Sequence, residues 1–199
     1  MTAQGQWAHA AIARAVLAAA PAQARLLFAS SAAVYGAARG LLTETTQPAP
    51  LSDYGRAKLE MEALLADVPQ ACALRIGNVA GADAILGGWA PGFRLDRFAD
   101  HRTPRRSYIG PLSLARVLAD LITHSGPLPP VLNVAAPGVV EMGALLDAAG
   151  LDWTPRPAPE TALPEVALCT RALERYTAFA PEESTPEDMV AQVRRVEAQ

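Results

Sequence analysis

Tyr54 and Lys58 stand four residues apart near the start of SDYGRAKLEMEALLAD. In a helix that spacing puts both side chains on one face. A phenol, with an unperturbed pKa of about 10, is a weak acid and a weaker base near neutral pH. An ammonium beside it favours the phenolate, and the positive end of a helix pushes the same way. Such a pair can give or take a proton at a hydroxyl or carbonyl oxygen. Ser31 closes an earlier apolar run, RLLFASS. In open α/β sheets ligands bind at the C-terminal ends of strands, so its hydroxyl is a candidate to hold that same oxygen. Of 17 basic residues Lys58 is the one lysine. On spacing alone the pair also reads as a surface contact, and its context must decide.

The elements that would position these residues are legible as patterns. Residues 4–20 favour a helix, closed by Pro21. Residues 25–31 have strand length, and a Pro/Thr-rich loop over 42–51 follows. Ser52 or Asp53 can cap a helix carrying Leu59, Ala63 and Leu64 on one face. Residues 71–79, ACALRIGNV, read as a buried strand ending at a glycine turn. PLSLARVLADLITH reads as a helix, VLNVA as a short strand, and EMGALLDAAG as a helix stopped by Gly150. The tail TPEDMVAQVRRVEAQ has a capped amphipathic pattern. This alternation predicts an α/β fold with a largely parallel sheet, of which three strands are legible.

Composition excludes several classes. A net charge of −3 without basic runs argues against nucleic acid or acidic membrane as partner. Two cysteines and three scattered histidines give neither a disulfide framework nor metal-ligand spacing, so no metal site is expected. Apolar stretches are broken by Arg, Pro or Gly before a membrane-spanning length, and the first residues lack a secretory pattern. The expectation is a globular cytoplasmic protein.

Three motifs, SSAAVYG (residues 30–36), YGRAK (54–58) and LRIGNVAG (74–81), occur in the order and at the spacings of a known family. With SYIG (107–110) and LNVAAPG (132–138), the chain resembles the extended short-chain dehydrogenase/reductases, the group of the NAD-dependent epimerases and dehydratases. The resemblance implies a partial Rossmann-like doubly wound parallel sheet with a small C-terminal substrate-binding region. Residues 1–82 would be the catalytic half of the dinucleotide-binding domain. Residues 83–199 would form the substrate-binding part, with some elements returning to the sheet.

The implied activity is NAD(P)-dependent epimerase, dehydratase or reductase chemistry at a secondary alcohol or ketone carbon, with nucleotide sugars among the substrate classes. Tyr54 would be the acid/base, Lys58 would bind the nicotinamide ribose and lower the Tyr54 pKa, and Ser31 would polarise the substrate oxygen. Arg75, Ile76, Gly77, Asn78 and Val79 would line the nicotinamide end of the pocket, Asn78 also touching substrate. For Asn78 a turn role is an equal alternative. Arg105 and Arg106, in a cluster with Arg102, suit a substrate phosphate, against the alternative of a solvated loop. The cofactor would be NAD or NADP, the partners a small-molecule substrate and a second copy docking through helices 4–20 and 53–67.

The chain also departs from the pattern. No two of its 14 glycines are two or three residues apart, so the pyrophosphate-binding fingerprint is absent. Gly110-Pro111-Leu112-Ser113 replaces a His-Val-x-Asp-like run, and the helix at 4–20 lacks a relay asparagine. The absent fingerprint implies that the family's early strands would precede Met1. The Gly110–Ser113 run weakens a standard nucleotide-sugar assignment, and the missing asparagine leaves any relay to water or backbone. The alternative reading is a truncated, non-catalytic remnant or dimerising scaffold that binds dinucleotide weakly.

Overall fold

Leu26–Ser31 and Ala71–Ile76 lie side by side as parallel strands, with Ser31 opposite Ile76. Apolar runs of this length, buried on both faces, suit the centre of a parallel sheet. The computed structural model describes residues 8–198. Its elements begin with α1 (His9–Ala19), β1 (Leu26–Ser31), a 3-10 turn over Ala32–Tyr35, β2 (Leu41–Leu42), α2 (Asp53–Ala63), β3 (Ala71–Ile76) and β4 (Asn78–Val79). Next come β5 (Arg94–Arg97), β6 (Arg105–Arg106), β7 (Tyr108–Ile109), α3 (Pro111–Thr123), β8 (Val131–Val134) and β9 (Val140–Glu141). The chain ends with α4 (Met142–Ala149), β10 (Thr154–Pro157), β11 (Glu165–Leu168) and α5 (Pro186–Glu197).

The main sheet has the order β1-β3-β8, all parallel. Alternation along β3 sends Ala71 and Ala73 toward α1 and α2, where Ala13, Phe28, Met61 and Leu65 complete one core layer. Cys72 and Leu74 point the other way, onto Val117 and Leu121 of α3. Helices therefore cover both faces, and the fold is a partial Rossmann-like doubly wound α/β sheet, as expected. The start of β1 is tied to the end of α3 by Arg25, whose guanidinium donates to the carbonyls of Leu121 (2.6 Å), His124 and Gly126 (2.6 Å). A cation there suits the negative end of the helix.

Several boundaries differ from the sequence expectation. Of the helix expected over 4–20, residues 4–7 lie outside the described residues. The strand expected over 71–79 divides at Gly77, where Gly77 N–H donates to Val134 O and Asn78 N–H to Ser107 O. The chain there leaves the main sheet to pair with β7. The short strands β2, β5, β6, β7, β9, β10 and β11 were not expected. They join in small sheets, including β2-β11-β6-β9 and β10-β5, that carry much of the chain beyond residue 90.

Ser52 caps α2 by accepting from Gly55 N–H at 3.0 Å. The expected face of α2 is buried only in part: Leu59 and Leu64 are half-buried against the core while Ala63 is exposed. The fully buried side chains are Ala57, Lys58, Met61 and Glu62, with Leu65 just beyond the helix. Two charged residues turn inward because each finds a partner. Lys58 Nζ donates to Ala29 O at 2.8 Å, and Glu62 pairs with buried Arg75 at 2.8 Å.

Candidate active site

The start of α2 is seated directly on the 3-10 turn that follows Ser31. A Cβ at Gly55 would lie 2.6 Å from Ala33 O, so only glycine permits this approach. Gly36, at a φ of 59°, closes the turn, and a Cβ there would lie 1.9 Å from Ala49 O. The two motif glycines thus bring the ends of β1 and α2 together, with Ser31 on one and Tyr54 on the other.

Tyr54 is 44% exposed, and Lys58 one turn later is 7% exposed. The ammonium lies 5.5 Å from the Tyr54 ring centroid, and the His9 ring packs edge-on against the same phenol at 6.0 Å. Lys58 takes part in no ion pair among the described residues. Burial pulls its pKa below the ordinary lysine value. His9 is also held low, by burial and then by the Lys58 charge. Ser31 is half-buried, and its Oγ accepts from Ala33 N–H at 3.2 Å, which orients the hydroxyl at the strand end.

The depressed Lys58 pKa has a testable sign. The folded chain gives up this proton more readily than the unfolded one, so the stability difference is lost as pH falls through the folded-state pKa. Because Lys58 is the one lysine, reductive 13C-methylation leaves only the N-terminus as a second amine signal. The Lys58 signal is expected to titrate below its value in the urea-unfolded chain. An equal or higher folded value overturns the burial argument.

The other expected site residues are distributed differently. Ile76 pairs with Ser31 in the sheet and Val79 packs into the same apolar layer. Gly77 makes the turn between β3 and β4. Asn78 N–H donates to Ser107 O, and the residue pairs with Tyr108 across β4 and β7. Tyr108 also donates to Asp83 at 2.5 Å, and burial, chiefly, pushes its pKa far up.

Arg75 points with Ser30 toward α2, and its guanidinium is committed to both Glu62 oxygens, the Tyr35 hydroxyl (3.1 Å) and Glu44 O. Burial opposes its charge, but hydrogen bonds to Glu62 and Tyr35 outweigh that and hold its pKa up. Arg105 is paired with Glu165 at 3.1 Å, and Arg106 donates to the carbonyls of Arg105 and Leu163. Both are engaged by partners on or beside β6 and β11. Asn133 was not foreseen: fully buried, it accepts from Tyr35 (2.7 Å) and donates to Leu42 O and Cys169 O. Its surrounding apolar strand offered no sign of that network.

Two grooves accompany these residues. One of about 510 Å³ runs along β1 and includes His9 and Lys58. A larger one of about 710 Å³, between Arg39, Arg97 and Arg156, has a proline-rich wall and none of the three candidate catalytic residues. No group of side chains among the described residues could hold a metal ion, and no described helix is long and apolar enough to cross a membrane.

Residues 3–95 match the model of the NAD dependent epimerase/dehydratase family. No curated protein matches the sequence. Among solved structures, the chain is similar to TunA, an NAD-dependent NDP-hexosamine 5,6-dehydratase of tunicamycin biosynthesis. The TM-score is 0.74 at 17% identity, over 96% of this chain and 70% of that one. It is similar to MoeE5 in complex with UDP-glucuronic acid and NAD, with a TM-score of 0.70 at 22% identity, over 95% of this chain and 70% of that one. It is also similar to dTDP-glucose 4,6-dehydratase of Bacillus anthracis in complex with NAD, with a TM-score of 0.67 at 15% identity, over 96% and 67%. Residues 3–95 thus carry the likeness to the NAD dependent epimerase/dehydratase family, and the solved structures share the fold over 95–96% of the chain.

Proposed function

We propose that this chain carries the proton-transfer half of an NAD-dependent epimerase/dehydratase site acting at a secondary alcohol or ketone carbon of a nucleotide sugar. The observation that supports it best is a buried ammonium, free of any described carboxylate, 5.5 Å from an exposed phenol. Tyr54 exchanges a proton with the substrate oxygen. Lys58 holds its ammonium beside that phenol during the exchange. Ser31 donates to the same oxygen from the end of β1 and steadies the charge that develops on it.

The residues fit one end of NAD. An ammonium with only a backbone carbonyl as partner retains donors for ribose hydroxyls. When bound, NAD supplies the hydride exchange at the substrate carbon. The pyrophosphate end has no glycine fingerprint to receive it. In this proposal residues up to 82 form the dinucleotide-binding-type part and later residues the substrate part, with α3 and β8 returning to the main sheet. A second copy docks through α1 and α2.

The test is NAD-dependent conversion of UDP- and dTDP-sugars, compared with Tyr54→Phe. General acid–base catalysis is worth about 100- to 10,000-fold, so the variant should lose that factor. Turnover retained in Tyr54→Phe removes the mechanism. The alternative reading is a dimerising scaffold without catalysis. On either reading these 199 residues, which hold no glycine fingerprint, are expected to bind NAD(H) and NADP(H) weakly by calorimetry. Micromolar affinity would overturn the inference from the glycines.

A further inference from the structure

Two carboxylates on α2 stand where they could hold Lys58 as a permanent cation, and neither does. Glu62 is four residues on, the spacing of a helical ion pair. It is instead committed to buried Arg75 at 2.8 Å and to Ser30 Oγ at 2.5 Å. Asp53, at the head of the helix, pairs with Arg56. Lys58 is left 7% exposed, with Ala29 O at 2.8 Å as its hydrogen-bond partner. Burial without a counter-charge favours the neutral amine, in line with its lowered pKa. The bond to Ala29 O uses one N–H, so the lone pair of that neutral amine points away from the carbonyl.

We infer that Lys58 is also a nucleophile, an amine that captures small hydroxyaldehydes as an imine while the Tyr54 phenol handles the protons. Lysines that react this way are those desolvated and kept from carboxylates. The nitrogen lies 5.5 Å from the ring centroid of a phenol that is itself 44% exposed. An aldehyde that reaches this phenol from solvent therefore meets the amine beside it. So closed a position takes a short carbonyl compound. A hydroxyl next to the aldehyde carbon has a partner in Ser31 Oγ, because the close approach of Gly55 to Ala33 O brings the end of β1 to the head of α2.

The chemistry balances without an oxidant or a dinucleotide. The neutral amine adds to the carbonyl carbon, and one of its protons passes to the carbonyl oxygen. Loss of that oxygen as water is the acid-demanding step: the phenol gives the proton, and the nitrogen lone pair forms the C=N bond. The proton left on nitrogen then returns to the phenolate. The His9 ring, edge-on to the phenol at 6.0 Å, is held neutral at neutral pH by burial and by the Lys58 charge, so it brings no cation that would compete. This activity uses the same pair as the proposed proton transfer but neither NAD nor hydride exchange, so each can fail alone.

The probe is glycolaldehyde, added at neutral pH to the 199-residue chain with enough cyanoborohydride that imine formation limits the rate. Peptide mass spectrometry locates the reduced adduct. Lys58 is the one lysine, so only the N-terminal amine competes, and it falls in a different peptide. Lys58 is expected to be labelled at least about tenfold faster in the folded chain than in urea, where neither the desolvated amine nor the phenol acts. Tyr54→Phe keeps the ring and should lower the folded rate by about tenfold or more, with thermal unfolding confirming that the variant is folded. The folded-to-unfolded ratio should be smaller for acetaldehyde, which lacks the hydroxyl. Labelling of Lys58 no faster in the folded chain than in urea overturns the proposal, as does an undiminished rate in folded Tyr54→Phe. An equal ratio for acetaldehyde overturns the assignment to hydroxyaldehydes. No dinucleotide or nucleotide sugar is present, so these outcomes stand apart from the turnover test.

Discussion

Glu62→Ala is expected to destabilise the fold by about 3–5 kcal/mol, the range for removing one partner of a buried ion pair. For a chain of this length that lowers Tm by roughly 10 °C. Glu62 accepts from Ser30 Oγ at 2.5 Å and from Arg75 at 2.8, 3.1 and 3.2 Å. The two side chains of the ion pair are only 5% and 6% exposed. Without the carboxylate, Arg75 keeps its charge in a dry site with the Tyr35 hydroxyl and Glu44 O as remaining partners. That uncompensated charge dominates the loss, because the pair's mutual attraction is largely offset by desolvation. The double variant Glu62→Leu with Arg75→Met should therefore recover most of the stability. Urea unfolding of the three proteins checks this. A loss below about 1 kcal/mol in Glu62→Ala would mean that water reaches Arg75.

The same network shows which parts of the site could be read from the residues alone. Ser31, Tyr54 and Lys58 lie in segments whose length, cap and spacing are local properties, and the structure forms β1 and α2 at those places. The inward face of α2 is not a local property. Leu59, Ala63 and Leu64 look like the apolar stripe, yet Glu62 and Lys58 are buried because Arg75 and the Ala29 carbonyl wait for them across the sheet. The partners of Arg75 were not legible for the same reason: Ile76 ends β3 and Gly77 turns the chain, while strand alternation sends the Arg75 side chain toward α2. The two-residue strands β2, β4, β6, β7 and β9 exist through partners distant in sequence, such as Leu41 with Ala167 and Asn78 with Tyr108. No period is detectable over two residues.

Lys58→Met should separate what the lone lysine does for the fold from what it does for chemistry. Its burial penalises the charged form, as the lowered pKa records, and its sole hydrogen bond is to a carbonyl at an open edge that water can also reach. Methionine fills similar space beside Met61 and carries no charge to desolvate. The melting temperature is therefore expected to stay unchanged or rise. Turnover, in contrast, should fall by about 100-fold or more, the scale of losing the group that tunes a general acid–base. Lys58→Arg should not restore it. A guanidinium is a planar fork that cannot take the place of a compact ammonium wedged between the Ala29 carbonyl and the Tyr54 ring. In a sequence whose other basic residues are arginine, that distinction is a physical reason for one lysine to remain. Thermal unfolding and turnover of the same three proteins decide it. Full activity in Lys58→Arg would show that any cation suffices, and a large fall in Tm for Lys58→Met would make the residue a structural one.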